Sequence, residues 1–417
     1  MWTSFYIGAI AILAFLMPIY PQSLGLIVAF ILLLYLGQKN KLKSAGLILS
    51  NKAIVCSIVL WLLYLISIVY SEDKTEAWNI FPTKLVLILF PIILSPLLSM
   101  AHNGIHKIKR AFIYGCVLSV IINLVFASYN FGVEQIRIQQ HLYVEHYGIN
   151  YFLSSRLSRL MHPGYWAMYL NWAAALLLFA PSILLNQRIK NAALFALVLG
   201  IVLSASKAGI ISMVFILAAW VISKLKSPNK TSPYLKYIVI AGVLIPMILM
   251  RIAPEYGNRF INTFRVFSNK PIEHNTQESN ALRLISWNAA IEIIKSHPAL
   301  GVGLGDVRNE LKIIYKKENQ EVAYTKALNA HNQFLQTSVG IGLPGLIALL
   351  GMLLFFILSS YQNRYKLGIV LGVLVFINLL FESMLETQAG ILFIVFWIII
   401  EMAQLLIGQT RDRKKLL

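Results

Sequence analysis

Residues 333–360 read QFLQTSVGIGLPGLIALLGMLLFFILSS, twenty-eight positions without one Asp, Glu, Lys or Arg. A helix rises about 1.5 Å per residue and the hydrocarbon core of a bilayer is about 30 Å thick, so roughly 20 such residues suffice to cross it. The stretch is long enough to be a membrane span. Outward from it, further apolar runs fall at about 4–20, 22–37, 52–70, 83–100, 110–130, 163–181, 190–204, 208–223, 235–252, 367–382 and 388–408. Composition agrees: 58% of the 417 residues are hydrophobic and 13% are charged, against about 25% charged in soluble domains. The expectation is an all-α integral membrane protein with about 12 transmembrane helices. Prolines at 18, 91, 96 and 344 fall within or beside these runs, which membrane helices tolerate when neighbouring groups satisfy the freed carbonyls.

A net charge of +19 is of the sign that nucleic-acid binders carry, but the basic residues punctuate apolar runs and form no stripe on a soluble domain. They act as a topology signal. With the N-terminus placed in the cytoplasm, the inner segments hold nineteen basic residues and two acidic ones, Glu401 and Asp412, while the opposite side holds seventeen basic and fifteen acidic. Both termini are therefore expected in the cytoplasm. No Lys or Arg precedes the first apolar run and a second run follows at once, so a cleaved signal peptide is not expected. Cys56 and Cys116 each lie inside an apolar run, which predicts neither disulfides nor a thiolate metal site.

The chain divides into residues 1–252, carrying spans 1–9 with an outer loop at about 131–162; a large outer loop, 253–330; and residues 331–417, carrying spans 10–12 and a cytoplasmic tail. The 253–330 segment contains an amphipathic pattern at 281–296, a glycine-rich turn at 301–305 and a second helical stretch near 306–320. It is too periodic and aromatic for a disordered connector, and reads as a folded, helical lid.

The outer segments concentrate basic side chains on the side that the charge rule depletes: Arg156 and Arg159 before His162-Pro163, Lys207 in Ser204-Ala205-Ser206-Lys207-Ala208-Gly209, Arg283 four residues before Trp287, then His297-Pro298, and His331-Asn332 at the mouth of the tenth span. Arg grips phosphate with a planar fork and Lys supplies a point charge, so the set suggests a diphosphate site with a base. Each residue also has a structural reading. Arg156 and Arg159 can anchor at the interface. His162 and His297 can cap helices that begin with proline, and Lys207 can meet lipid phosphate. Arg283 can sit on the exposed face opposite Leu282, Ile285, Ala289 and Ile293, and His331 can open a membrane helix with Asn332.

Other chemistries fit poorly. The run Gly301-Val302-Gly303-Leu304-Gly305 has no preceding strand and no following Lys-Ser/Thr, so it is a turn and not a nucleotide cradle. Three aspartates, no Asp-x-Asp and no His-x-x-x-His argue against a metal site. No metal and no cofactor are expected. A transporter would place ionisable groups near the bilayer midplane, whereas Glu382 and Glu401 lie near span ends.

Arg156 to Tyr165, Ser204 to Gly209, Arg283-x3-Trp287 through His297-Pro298-x2-Gly301-Val302-Gly303, and Ala330-His331-Asn332-Gln333-Phe334-Leu335 with Gly340, Gly342 and Gly345 together resemble the O-antigen ligase family. That superfamily also holds O-antigen polymerases and protein-glycosylating ligases. The resemblance implies about twelve spans, a large periplasmic loop, and metal-independent transfer of a glycan from undecaprenyl diphosphate to lipid A-core, at the bacterial inner membrane and on its periplasmic face. It assigns Arg283 and His331 as the catalytic pair. Lys207, Arg156, Arg159 and His162 would hold the donor diphosphate, with Asn332 and Trp287 in support. Lys207 departs from the pattern, because Arg is usual after that Ser. A polymerase using the same donor is the nearest alternative, followed by a protein-glycosylating ligase and a non-enzymatic exporter; expected partners are the lipid-linked donor, the lipid acceptor and membrane lipids, with no nucleic acid.

Topology is directly testable. Cysteine introduced at Asn275 should react with an impermeant thiol reagent in cells whose outer membrane is permeabilised, and cysteine at Asn229 should not. The opposite pattern would invert the assignment.

Overall fold

The computed structural model describes residues 2–21, 24–38, 46, 49–99, 102–140, 150–184, 186–225 and 278–416. The expected ninth span, 235–252, and the first part of the large loop, 253–277, lie outside the described residues. Among the described residues the regular structure is helical, with no strand. In chain order the principal helices are α1 (Trp2–Leu16), α2 (Gly25–Leu36), α3 (Lys52–Tyr70), α4 (Lys74–Lys84), α5 (Val86–Leu94), α6 (His102–Gln139), α7 (Ser154–Leu157), α8 (Pro163–Phe179), α9 (Gln187–Leu203), α10 (Lys207–Leu225), α11 (Ser279–Ser296), α12 (Val307–Lys317), α13 (Glu321–Thr325), α14 (Gln333–Gln362), α15 (Lys366–Phe381) and α16 (Gln388–Leu416).

Among the described residues six segments are long and apolar enough to cross a membrane: Lys52–Tyr70, Lys74–Leu98, Gly104–Gln139, Lys207–Lys224, Gln333–Gln362 and Gln388–Gly408. Three shorter apolar helices are Trp2–Leu16, Gly25–Leu36 and Lys366–Phe381. The chain is a multi-pass membrane protein. Several boundaries differ from the hydropathy reading, α6 starting at His102 and α16 running on to Leu416. Helix α6 continues to Gln139 through residues assigned to the outer loop, since nothing in Gly132-Val133-Glu134-Gln135-Ile136-Arg137 breaks a helix. The fourth apolar run begins earlier, on the polar helix α4, whose first turn is capped by Asp73 accepting from Glu76 N at 2.8 Å.

Two compact units are formed, one from residues 1–34 and 101–256 and the other from 35–100 and 257–417. In the first, α8 is buried along almost its whole length and packs on α6, α9 and α10. Gly209 lets α10 approach closely, since a Cβ there would lie 2.6 Å from the Ala167 Cβ. Asn171 cross-links the same pair by donating to Ala167 O at 2.9 Å and Gly209 O at 3.0 Å.

The second unit is organised by a break in α14. Pro344 has no N–H to give Gly340 O, and Ile341 and Gly342 leave helical geometry, Gly342 at φ +65°. The freed groups are taken up by the turn after α11. Val302 N donates to Val339 O at 2.8 Å, Gly303 N to Gly340 O at 2.9 Å, and Leu343 N to Pro298 O at 2.9 Å. The glycine-rich stretch is thus a backbone clasp. It also grips the α3–α4 corner, where Asp306 accepts from Glu72 N and Asp73 N, both at 2.8 Å, and Tyr70 Oη donates to Leu300 O at 2.7 Å. Above the clasp, α11, α12 and α13 share a core that includes Leu282, Ile285, Ala289, Ile293, Val307, Leu311 and Tyr315. Leu282, Ile285, Ala289 and Ile293 are the packing face that the periodicity predicts, and burial pushes the Tyr315 hydroxyl up to about 12.

A Cβ on Gly305 would stand 2.0 Å from Asp73 O, a backbone atom that has nowhere to go. Gly305→Ala should therefore cost about 1–3 kcal/mol through overpacking. Gly8→Ala, with nothing within 4 Å of the new methyl, should leave stability unchanged or slightly raised. Thermal unfolding of the purified protein in detergent checks both, and equal midpoints for the two variants would remove the clasp from this account.

Candidate active site

His331 follows a short extended segment and adopts φ +45°, a left-handed conformation that costs a β-carbon residue of order 1 kcal/mol or more. Its backbone N donates to Asn329 Oδ1 at 2.9 Å. The helix cap belongs to the next residue, as Asn332 Oδ1 accepts from Phe334 N at 2.9 Å and Leu335 N at 3.2 Å. His331 is therefore free of the capping task. Its ring Nδ1 lies 3.1 Å from Glu382 Oε2, just past the end of α15. An ionised carboxylate only accepts, so this contact puts a proton on Nδ1, and the neutral tautomer it selects is the one with its lone pair on Nε2.

Arg283 meets the other oxygen of the same carboxylate, with Nη2 2.6 Å from Glu382 Oε1. Its Nε donates to Phe381 O at 3.2 Å and its Nη1 to Ser279 Oγ at 2.8 Å. Among the described residues three of the five guanidinium N–H groups are engaged, and the other two have no acceptor there. The Arg283 side chain is only 19% exposed, so an ordinary solvent-facing role on α11 does not describe it. Trp287, one turn on, is half-buried, and its indole N–H is buried with no acceptor among the described residues. Arg283, Glu382 and His331 form one continuous constellation on three separate segments.

A second polar chain runs beneath it. Lys84 Nζ, fully buried, contacts Glu386 Oε2 and Leu385 O, each at 2.8 Å, and lies over the Tyr64 ring at 4.7 Å. Glu386 Oε1 accepts from Gln333 Nε2 at 3.1 Å, and Gln333 Oε1 accepts from Leu385 N at 2.6 Å. The corner from 382 to 386 is thereby pinned to the first turn of α14.

The remaining expected site residues belong to the first unit. Ser206 Oγ accepts from Gly209 N at 3.1 Å and so caps α10, while Ser206 N donates to Ser204 Oγ at 3.3 Å. This tight turn, with Ala205 at φ +49°, presents the half-buried Lys207 at the first position of the helix. Arg156 and Arg159 are exposed around the short α7, and Arg159 N donates to Asn123 Oδ1 at 3.2 Å. They share their surroundings with Tyr151 and Glu134: burial and the Glu134 carboxylate push the Tyr151 hydroxyl up, while the two arginines oppose that shift. His162 caps α8, its Nδ1 accepting from Gly164 N at 3.3 Å, in line with the structural reading of His-Pro.

Glu382, Glu386, Lys84 and Gln333 were not among the sequence candidates. A signal existed: Glu382 and Glu386 stand four residues apart between two apolar runs, on the side that the charge rule assigns to His331.

A family model described as O-antigen ligase matches residues 192–350. This supports the O-antigen ligase family read from the motifs, and with it an enzyme of the ligase or polymerase type. No curated protein matches the chain. The matched stretch includes Lys207, Arg283, Trp287, His331 and Asn332, whereas Glu382 and Glu386 lie beyond its end.

If Glu382 orients the imidazole and holds its tautomer, Glu382→Gln should lower glycan transfer by about tenfold or more while protein yield and insertion stay normal. Glu382→Asp should recover part of the loss. Full activity of Glu382→Gln in a reconstituted assay would reduce the carboxylate to a structural pin.

Proposed function

We propose, with the O-antigen ligase match as premise, that this protein is a membrane glycosyltransferase that moves a glycan from undecaprenyl diphosphate to the lipid A-core acceptor, on the periplasmic face of the bacterial inner membrane. The observation that carries the reading is the Arg283–Glu382–His331 constellation, which pairs an oriented base with a cation that keeps unused donors. The orientation, with both termini cytoplasmic, rests on the distribution of basic residues.

In this mechanism His331 Nε2 takes the proton of an acceptor hydroxyl as its oxygen attacks the anomeric carbon of the donor. The bond from that carbon to the diphosphate oxygen breaks, and undecaprenyl diphosphate leaves with the electron pair. Glu382 stabilises the imidazolium that forms. The two free N–H groups of Arg283 receive charge that develops on the leaving group, and their preorganised placement makes them effective without reorganisation. Lys207, Arg156 and Arg159 are assigned to the donor diphosphate as point charges and forks. His162 is left at the edge of this set, since its ring already caps α8. No metal enters the scheme, in keeping with the scarcity of acidic clusters in the sequence.

A polymerase would use the same machinery on a different acceptor. Cells lacking the protein separate the two: a ligase leaves free lipid A-core with long polymer on the lipid carrier, and a polymerase leaves single repeats. The residue-level test is reconstitution in liposomes with a lipid-linked glycan and lipid A-core. Arg283→Ala should lose at least about 100-fold, since loss of one preorganised stabiliser costs roughly 2.7–4 kcal/mol. His331→Asn should be inactive, because general-base assistance contributes about 10² to 10⁴ and asparagine has no useful basicity. Turnover by His331→Asn at the wild-type rate would defeat the base assignment.

A further inference from the structure

A cavity of about 230 Å³ opens inside the second unit, walled by α12, the first turns of α4 and the mouth of α14. Its polar lining is Tyr64, Glu76, Asn329, Gln336 and Glu386 with the exposed Arg308, and its apolar wall includes Ile80, Val307 and Leu311. Several of these polar groups have unused hydrogen-bonding capacity. Gln336 is 8% exposed; its Oε1 accepts from Ala330 N at 3.0 Å, and its Nε2 has no acceptor among the described residues. Asn329 Oδ1 is occupied by His331 N at 2.9 Å and Ser383 Oγ at 3.4 Å, which leaves its Nδ2 available. Arg308 and Glu76 form no ion pair among the described residues.

The lining therefore offers two neutral amide donors, a cation, a carboxylate acceptor and a C–H wall. An inorganic anion would face Glu76 and Glu386, a metal ion would face Arg308 and amide hydrogens, and an acyl chain would leave Glu76, Asn329 and Gln336 without partners. A polyhydroxylated ring suits every group at once, since each hydroxyl both donates and accepts and one face of the ring is apolar. Size limits it further: ligand sites for larger molecules run about 300–1,000 Å³, so this cavity takes one ring and not a chain of them.

We infer that this cavity is a subsite for a single sugar ring of the acceptor, held beside the 329–331 segment that carries His331. Assignment to the acceptor rests on the glycosyltransferase reading above; recognition of a sugar ring does not. Asn329 links the two sites, because one side of its amide fixes the His331 backbone and the other faces the cavity.

Two measurements separate these levels. Saturation-transfer NMR on the full-length protein in detergent, with methyl glycosides of glucose, galactose, N-acetylglucosamine and a heptose, should give ring-proton signals for at least one. Arg308→Ala and Glu76→Gln, on side chains outside the catalytic constellation, should each weaken that binding by about tenfold or more. Ile80→Trp, which fills the cavity, should abolish it. Absence of signal for all four glycosides, or signal indifferent to all three variants, would overturn the sugar site. In reconstituted transfer, Arg308→Ala and Glu76→Gln should raise the KM for acceptor by a similar factor, with the KM for donor and kcat unchanged. A rise in donor KM instead would overturn the acceptor assignment. Failure of the wild-type protein to transfer any glycan would remove the enzymatic reading, and the NMR experiment would still decide whether the cavity binds a sugar.

Discussion

A proline four residues after Gly340 leaves a carbonyl without its helical donor, and inside a membrane protein that debt has to be met by protein. The second unit meets it with the backbone of residues 298–303. Sequence features that look independent, the His-Pro-x2-Gly-Val-Gly turn and the Gly-Ile-Gly-Leu-Pro break, are two halves of one hydrogen-bonded clasp. Gly301, at φ +68°, could not carry a Cβ without meeting Val339 O at 2.4 Å, and Gly342 would meet Ala299 O at the same distance. The close approach of two backbones, and no bound ligand, accounts for glycine at both positions.

The clasp has consequences for the site. By tying the end of α11 to the middle of α14, it fixes Arg283 on one element against His331 at the start of the other. Glu382 then bridges them from α15. The Lys84–Glu386 pair performs a similar task one turn away, where the geometry has to be good to offset desolvation of two ions. Lys84 has a carboxylate oxygen, a carbonyl and an aromatic face, and Glu386 has both oxygens occupied. Removal of either partner would leave the other charge buried and unpaired, which is the costly case, so the pair acts as a positional constraint on the 382–386 corner more than as a source of net stability.

How much of this could be read from the chain follows from the range of the signals. Apolar runs and the 3.6-residue periodicity of 281–296 are local, and they place α11, α3, α8 and α15 to within a few residues. His331 and Arg283 stood out because basic residues were retained against a charge bias. Glu382 could not be found in that way: its partners lie 99 and 51 residues away, and an acidic residue on the outer side breaks no local rule. The end of α6 departs from the hydropathy reading for a different reason: polar composition at 131–139 reads as loop, whereas a helix already formed continues through polar residues that do not break it.

The carboxylate between a cation and an imidazole also constrains the chemistry that each group can perform. With Arg283 on Oε1 and His331 on Oε2, both oxygens of Glu382 are engaged, so it is poorly placed to be the base itself. Among the described residues the imidazole Nε2 and two N–H groups of the guanidinium then have no partner. Acceptance of a proton and donation to an anion are thereby assigned to different side chains joined through a single carboxylate. The proposed transfer of a glycan to a hydroxyl with departure of a diphosphate requires both actions in the same event, and in that proposal the shared carboxylate balances the positive charge gained by His331 where it forms while it holds Arg283 in place.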